Sequence, residues 1–469
     1  MTIKTKLYTH QKNAVEKLQK IKVGALYMEQ GTGKTRTALE LVKIRYERKK
    51  INHVIWLCPC SVKYNLQRDI ELHVGYLPDF ITICGIETLS SSIKANMQLS
   101  NIADNKKCYL IVDESNLVKN HKAKRTNNIQ KLATKCEYKL ILNGTPVTRT
   151  AADLFSQWKI LDWRILGYRS YYSFAANHIE YDECNPRKIS RCLNIDYLVR
   201  KISPYTYQIK KTECIDLPSK TYQTIYYSMD YKQMECYSYV ADKLLMDKEN
   251  LGDAAIYRLF TALQNVISGM YVDASKKNIS STPMYEKAID NPRINIFMNI
   301  IESINDKVIV FCKYTHEIDN IVDAINSTYG EFTAVRFDGK LSLKNREKSI
   351  EMFKNNSRFL ISNKSCAGYG LNLQFCNYII FYSNDFNYGT RAQAEDRVHR
   401  IGQDKNVHII DICCENSIDE MILGCINRKE NMVEHFKNKI HDMKDKDIKN
   451  MLGSAIIDNV KEGYNAKDL

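Results

Sequence analysis

The sequence predicts an α/β fold of two parallel-sheet lobes with helical insertions between them. Three observations carry this prediction. Short, near-continuous apolar runs recur, helix-period segments lie between them, and the runs cluster before about residue 150 and after about residue 300. The runs are His53–Pro59 (HVIWLCP), Cys108–Glu114 (CYLIVDE), Lys139–Gly144 (KLILNG), Lys307–Lys313 (KVIVFCK), Arg358–Asn363 (RFLISN), Asn377–Ser383 (NYIIFYS) and Val407–Cys413 (VHIIDIC). Ile/Val/Leu runs of this length suit strands buried on both faces of a parallel sheet. Thr35–Lys49 and Thr315–Ser327 are examples of the helical patterns between them. Parallel neighbours need crossovers, and a helix in each gives an α/β fold with right-handed connections.

The middle of the chain is different. Phe155–Met298 is rich in Tyr and Lys, with helix-period patterns and few clean strands. It reads as helical insertions and a connector. The expected division is a first lobe over 1–160, insertion and connector over 161–290, a second lobe over 291–430, and a helix or tail over 431–469. Arg187–Lys211 is basic and tyrosine-laced. It suits either a surface that follows a phosphate backbone or a solvated helical face. Past Asn416, SIDEMILGCINRKENMVEHF has helix period.

Bulk composition narrows the class. A chain of 469 residues suits two to three domains. Apolar residues at 44% and charged residues at 26% fit a globular protein. No apolar run approaches the ~18 residues of a membrane span. The N-terminal MTIKTKLYTHQKN has no signal-peptide core, so a cytoplasmic location is expected. The 15 cysteines read as reduced, buried thiols. No C-x-x-C pair is present, and neither Cys58-x-Cys60 nor His178, Cys184 and Cys192 has the spacing of a common metal site. The formal charge of +14 favours an anionic partner such as nucleic acid, although it also serves solubility.

Gly31-Thr32-Gly33-Lys34-Thr35 follows the apolar Val23–Met28 and opens a helix, which is the context of a phosphate-binding loop. Gly31 and Gly33 let backbone N–H groups turn onto phosphates, with Thr32 between them, and the helix N-terminus adds its dipole. Lys34 would neutralise β/γ oxygens, and the Thr35 hydroxyl would ligate Mg²⁺. Met28 stands where the loop pattern has its first glycine. That glycine shapes the mouth of the loop and offers no side chain to phosphate. The bland alternative is a glycine turn capping a helix.

Asp113-Glu114 closes CYLIVDE, and acids at the carboxyl end of a parallel strand face the crevice where ligands sit. Asp113 would hold Mg²⁺, and Glu114 would take the proton of an attacking water. A helix N-cap is the alternative. Leu142-Asn143-Gly144-Thr145-Pro146 follows the next run; Thr145 would sense γ-phosphate, or the segment is a simple strand-to-helix turn. Gln11 carries an amide able to read adenine N6 and N7.

In the second lobe, Gly368-Tyr369-Gly370-Leu371-Asn372-Leu373 precedes NYIIFYS, and RAQAEDRVHRIGQ spans Arg391–Gln403. Gln393, Arg397 and Arg400 recur three to four apart and are expected on one helix face. Two arginines there would reach a γ-phosphate; a basic surface helix is the alternative.

Gln393–Gln403 follows Q-A-x-x-R-x-x-R-I-G-Q and resembles the sixth motif of the Swi/Snf-type ATPases of helicase superfamily 2. Other elements fall in that family's order. Leu7–Gln11 resembles its adenine motif, Met28–Thr35 its first motif, and Asp113–Asn116 its DEAH-type box. Pro59-Cys60-Ser61 through Asp69 resembles P-x-S…W-x-x-E, with Leu66 for Trp and Asp69 for Glu. Gly144–Pro146 resembles the third motif, with Asn143 and Arg149 as departures. Val308–Cys312 resembles the fourth and Gly368–Leu373 the fifth. Phe337-Asp338-Gly339 with Arg346 and Phe353 matches G…R…F, and Phe386-Asn387-Tyr388 stands where W-N-P is usual. Asn116 replaces the family's His. The resemblance runs from about residue 5 to about residue 430.

It implies two RecA-like lobes with ATP and Mg²⁺ between them. Gln11, Gly31, Thr32, Gly33, Lys34, Thr35, Gly370 and Gln393 would bind nucleotide, and Thr35 and Asp113 the metal. Lys34, Asp113, Glu114, Arg397 and Arg400 would carry catalysis. The resemblance also implies tracking along double-stranded DNA without strand separation. A strand-separating DNA or RNA helicase and a nucleotide-gated DNA-binding scaffold with little turnover stay open. A monomer is expected, with an unidentified protein partner left open.

Overall fold

A computed structural model describes residues 1–144, 151–182, 189–214, 217–245, 253–274, 280–364, 371–386 and 388–428. The chain divides into two compact units, the first built on Met1–Leu217 and the second beginning at Pro218.

The first unit holds β1 (Val23–Met28), β2 (His53–Cys58), β3 (Ile81–Gly85), β4 (Cys108–Val112), β5 (Tyr138–Asn143), the antiparallel hairpin β6 (Ile179–Tyr181) and β7 (Ile189–Cys192), and β8 (Thr206–Ile209). Six of these form one all-parallel sheet in the order β3-β2-β4-β5-β1-β8. Alternate residues point to opposite faces of a strand, and here both faces are buried. Tyr27, Ile55, Leu57, Leu110, Val112 and Ile141 enter one core. Leu26, Val54, Trp56, Tyr109, Ile111 and Leu142 enter the other. That explains runs with no polar alternation.

Helices α1 (Thr9–Leu18) and α2 (Lys34–Glu47) pack on the second face through Ala14, Leu18, Ala38, Leu41 and Val42. Two buried arginines of α2 tie down what precedes it. Arg36 donates to the Thr5 carbonyl (2.8 Å), and Arg45 donates to the carbonyls of Leu18 (3.0 Å) and Ile21 (2.9 Å). The helix Ala152–Leu166 covers the first face, and its Trp158 donates Nε1–H to the Tyr27 hydroxyl (3.0 Å).

The second unit holds β9 (Lys220–Tyr227), the antiparallel hairpin β10 (Met270–Asp273) and β11 (Ser280–Pro283), β12 (Val308–Cys312), β13 (Ala334–Phe337), β14 (Phe359–Asn363), β15 (Tyr378–Phe381) and β16 (Val407–Cys414). Its six-stranded sheet is also all parallel, in the order β13-β14-β12-β15-β16-β9. Val308, Val310, Ile361, Ile380 and Ile412 share a core with the helices Asp253–Ile267, Pro292–Glu302, Thr315–Tyr329 and Ile418–Arg428. Arg293 is buried in it and paired with Asp419.

All seven apolar runs are strands of these sheets, so the α/β expectation holds. The segment read as helical connector also contributes strands, since β8 and β9 both come from it. Within the basic stretch, Ile195–Ile202 is a helix with Leu198 and Ile202 buried and Tyr197 exposed beneath Lys201. Arg187 and Lys188 lie outside the described residues, as do Cys184 and the tail beyond 428. No helix of the described residues is long and apolar enough to cross a membrane. Cys58, Cys108, Cys312, Cys413 and Cys414 are buried free thiols.

A candidate nucleotide site at the strand ends of the first unit

The phosphate-loop sequence sits where β1 gives way to α2. Gly31 and Gly33 have φ of +82° and +87°, a region that side-chain-bearing residues rarely adopt. Gly33 caps α2, whose first residues are Lys34 and Thr35. Met28 is the last residue of β1, fully buried and paired with Ile209 of β8. The strand therefore runs through the position where the pattern has a glycine, and a core side chain is needed there.

The Thr32 amide and hydroxyl both donate to the Glu29 carbonyl (3.3 and 2.7 Å), which closes the turn. Lys34 Nζ donates to the Met28 carbonyl at 2.9 Å and so lies along the loop. From α1, His10 Nε2 and Gln11 Nε2 converge on the Thr32 carbonyl at 2.8 and 3.1 Å. Gln11 Oε1 also accepts the Tyr8 N–H at 3.1 Å. Both ends of the Gln11 amide thus touch protein, and the residue braces the loop from beneath. His10 was not among the expected site residues. Its only sequence signal is adjacency to Gln11.

Two strands from β1 in the sheet, β4 ends at Val112 and is followed by the acids. Asp113 donates its N–H to the Leu57 carbonyl (2.7 Å), and its Oδ1 accepts the Glu114 N–H (2.9 Å). Burial, and then the Glu114 charge, push the Asp113 carboxyl up to about 7, against the opposing pull of Lys34. Lys34 and Asp113 therefore share one electrostatic neighbourhood. Glu114 takes a left-handed φ of +47° ahead of the short 3₁₀ turn Ser115–Val118 and makes no side-chain cap bond. Ser115 Oγ donates to Gln157 Oε1 (2.6 Å), which fixes this turn to the helix Ala152–Leu166. Thr145, Pro146, Arg149 and Gly370 lie outside the described residues.

In the second unit, Gln393 lies on the helix Tyr388–Glu395. Arg397 and Arg400 lie past its end at Glu395, so the three residues do not stand on one helix. The Glu395 carbonyl accepts both Val398 N–H (3.1 Å) and His399 N–H (2.9 Å), and Arg397 N–H reaches Ala394 at 3.2 Å. The Val398 and Arg397 bonds are i→i+3, which tightens the chain into turns past Glu395. The turns are tied to the segment before β15. Arg397 accepts the Leu373 N–H at 3.1 Å, and Arg400 donates to Asn372 Oδ1.

Arg391, outside the expected site set, anchors that helix. It grips Asp411 of β16 with two bonds of 2.6 and 2.7 Å and Glu395 at 3.1 Å. An acid inside the run VHIIDIC was the available signal, because a buried charge needs a partner. Lys313 and Lys364 were also missed. They follow β12 and β14 directly, and burial lowers both to about 8.

A parallel strand feeding a glycine turn, a helix opened by lysine, and a nearby strand ending in two acids define a P-loop nucleotide-binding unit, here followed by a second parallel-sheet unit. Residues 78–268 match the SNF2-related domain, and residues 292–402 match the helicase conserved C-terminal domain. The glycine loop lies ahead of both matches and stands on its own geometry. Together the two matches support placing the chain among the Swi/Snf-type ATPases of helicase superfamily 2.

Among curated relatives, it is 24% identical over 442 residues to an uncharacterized ATP-dependent helicase of Mycoplasma pneumoniae, covering 87% of this chain and 40% of the relative. It is 26% identical over 346 residues to the ATP-dependent DNA helicase DDM1 of Arabidopsis thaliana, covering 67% and 43%. The chain thus spans well under half the length of these relatives. A solved Sulfolobus solfataricus SWI2/SNF2 ATPase core in complex with dsDNA aligns over 96% of this chain and 97% of its own, at 21% identity and a TM-score of 0.42.

Proposed function

We propose that this chain hydrolyses ATP, with Mg²⁺, to move along double-stranded DNA without separating its strands. The observation that carries the reading is the pairing in one unit of a lysine-bearing glycine turn with an acidic strand end whose charge it feels. The names of the relatives, ATP-dependent helicases, agree with it. So does the +14 charge.

In this reading the loop N–H groups of Gly31, Thr32 and Gly33, with Lys34, hold the phosphates. Thr35 and Asp113 offer hard oxygen donors of the kind Mg²⁺ takes. A carboxyl raised to about 7 by burial is one that a cation would stabilise, so these residues fit the metal. When bound, Mg²⁺ would neutralise charge on the transferring phosphoryl group. Glu114 would accept the proton of the attacking water, and Arg397, Arg400, Gln393 and Gly370 would serve the same reaction. The motor would comprise a first lobe over 1–160, insertion and connector over 161–290, a second lobe over 291–430 and a tail beyond, acting as a monomer in the cytoplasm.

ATP turnover measured side by side with duplex DNA, single-stranded DNA and RNA tests the activity, and displacement of a triplex strand tests movement. Stimulation is expected to be greatest with duplex, together with triplex displacement and no unwinding of a partial duplex. Turnover indifferent to duplex DNA would remove the reading.

A further inference from the structure

Three amide side chains around the nucleotide site each hold a buried polar atom with no hydrogen-bond partner among the described residues: Gln30 Oε1, Asn116 Oδ1 and Asn143 Nδ2. Leaving a buried polar group unmet is costly, so three in one neighbourhood call for a cause. The sheet order β4-β5-β1 supplies a spatial one. Asn143 ends the middle strand, β5. Asn116 stands in the turn that follows β4, and Gln30 in the loop that follows β1. The Ser115–Val118 turn packs on β5. A Cβ placed on Gly144 would lie 3.9 Å from Gln30 Cγ, so the loop borders the end of the same strand. Asn143 Oδ1 is already committed to the Gly144 N–H at 2.8 Å.

The unmet groups are complementary. Asn143 Nδ2 carries two hydrogens, and its neighbours on either side present two carbonyl acceptors. We infer that Gln30, Asn116 and Asn143 form a three-amide bracket that closes when ATP, but not ADP, is held. In the closed bracket Asn143 donates one hydrogen to each neighbour and locks the glycine loop, the acidic turn and β5 into one arrangement. The inference rests on the nucleotide-site reading above. Its members are positioning residues: none needs to touch the reacting atoms, and closure sets where Lys34 and Glu114 stand during turnover. The open arrangement leaves three groups unmet and the closed one satisfies them, which gives the site two discrete states for nucleotide to choose between.

The test is a mutant cycle on the full chain, read by duplex-stimulated kcat, ADP affinity and melting temperature. Asn143→Asp keeps the shape and the Gly144 bond but removes both hydrogens. Asn116→Ala and Gln30→Met each remove one acceptor, and Gln30→Glu retains it. Each loss variant is expected to lower kcat about tenfold, with ADP affinity within twofold of wild type and an unchanged melting temperature. Gln30→Glu is expected to recover most of the Gln30→Met loss. Asn143→Asp combined with Asn116→Ala is expected to be no slower than the slower single. Effects that multiply to about a hundredfold, or singles indistinguishable from wild type, would overturn the bracket while leaving the nucleotide site standing. A wild-type chain that neither binds nor turns over ATP would remove both.

Discussion

Replacing Gly33 by alanine tests how α1 and the glycine loop depend on each other. Two costs can be worked from the geometry. The residue holds φ +87°, and left-handed backbone costs a side-chain-bearing residue about 1–2 kcal/mol. The new Cβ would also lie 2.1 Å from Gln11 Nε2 and 3.3 Å from Gln11 Cδ. A flexible amide moves more readily than backbone, so Gln11 is displaced. It then loses its bonds to the Thr32 carbonyl and the Tyr8 N–H, both at 3.1 Å. At about 1 kcal/mol each, those bonds bring the total to about 3–4 kcal/mol. Gln11→Ala alone should cost about 2 kcal/mol. The double variant should cost no more than Gly33→Ala, because the displaced amide is already lost, so the cycle should show about 2 kcal/mol of coupling. Urea unfolding of the four proteins measures this. Strict additivity, or a Gly33→Ala cost below about 1 kcal/mol, would refute the brace.

Three further expectations follow from the two units. Asp113 has its carboxyl raised to about 7 from an ordinary 3.8, so its protonated form is favoured in the fold, and the stability it provides at low pH is lost as pH rises through about 7. Without metal, Asp113→Asn should therefore gain up to about 4 kcal/mol on wild type between pH 4 and pH 8, and urea titrations showing a pH-independent difference would contradict the burial argument. Glu114→Gln should bind ATP and fail to cleave it, whereas Lys34→Ala should abolish turnover; rapid single-turnover hydrolysis by either would unseat its assigned role. In the second unit, Asp419→Asn strands the buried Arg293 charge and should cost about 3–5 kcal/mol, while Arg293→Met with Asp419→Leu should cost less than that, as thermal unfolding can show.

What the sequence disclosed divides along the sheets themselves. Every interior strand of both sheets stands out as an apolar run or apolar stretch, because each is buried on two faces. Within these two sheets the strands that escaped notice, β3, β8, β9 and β13, are the four edges. An edge strand has a neighbour on one side only and tolerates polar residues, as KTYQTIYY in β9 does with its largely exposed side chains. The glycine loop and the acidic pair were legible because their chemistry is local: a few adjacent residues and a strand end. Arg397 and Arg400 were expected on one helix with Gln393, but spacing along the chain says nothing of where a helix stops, and this one stops at Glu395. Gln11 was singled out for adenine; its bond to Tyr8 is local, three residues away, but its bond to the Thr32 carbonyl depends on tertiary approach and left no trace in sequence.

The position of β8 bears on how this molecule can be dissected. β1, which feeds the glycine loop, lies between β5 and β8, and Met28 at its tip is hydrogen-bonded alongside Ile209. A fragment ending at residue 160 would contain the loop, the acids and α1, yet it would strip one flank of β1 bare. The N–H and C=O groups facing β8 would meet water or another chain, a situation that invites self-association. Anyone cutting out a minimal nucleotide-binding piece should carry the cut past Leu217, where the first compact body ends.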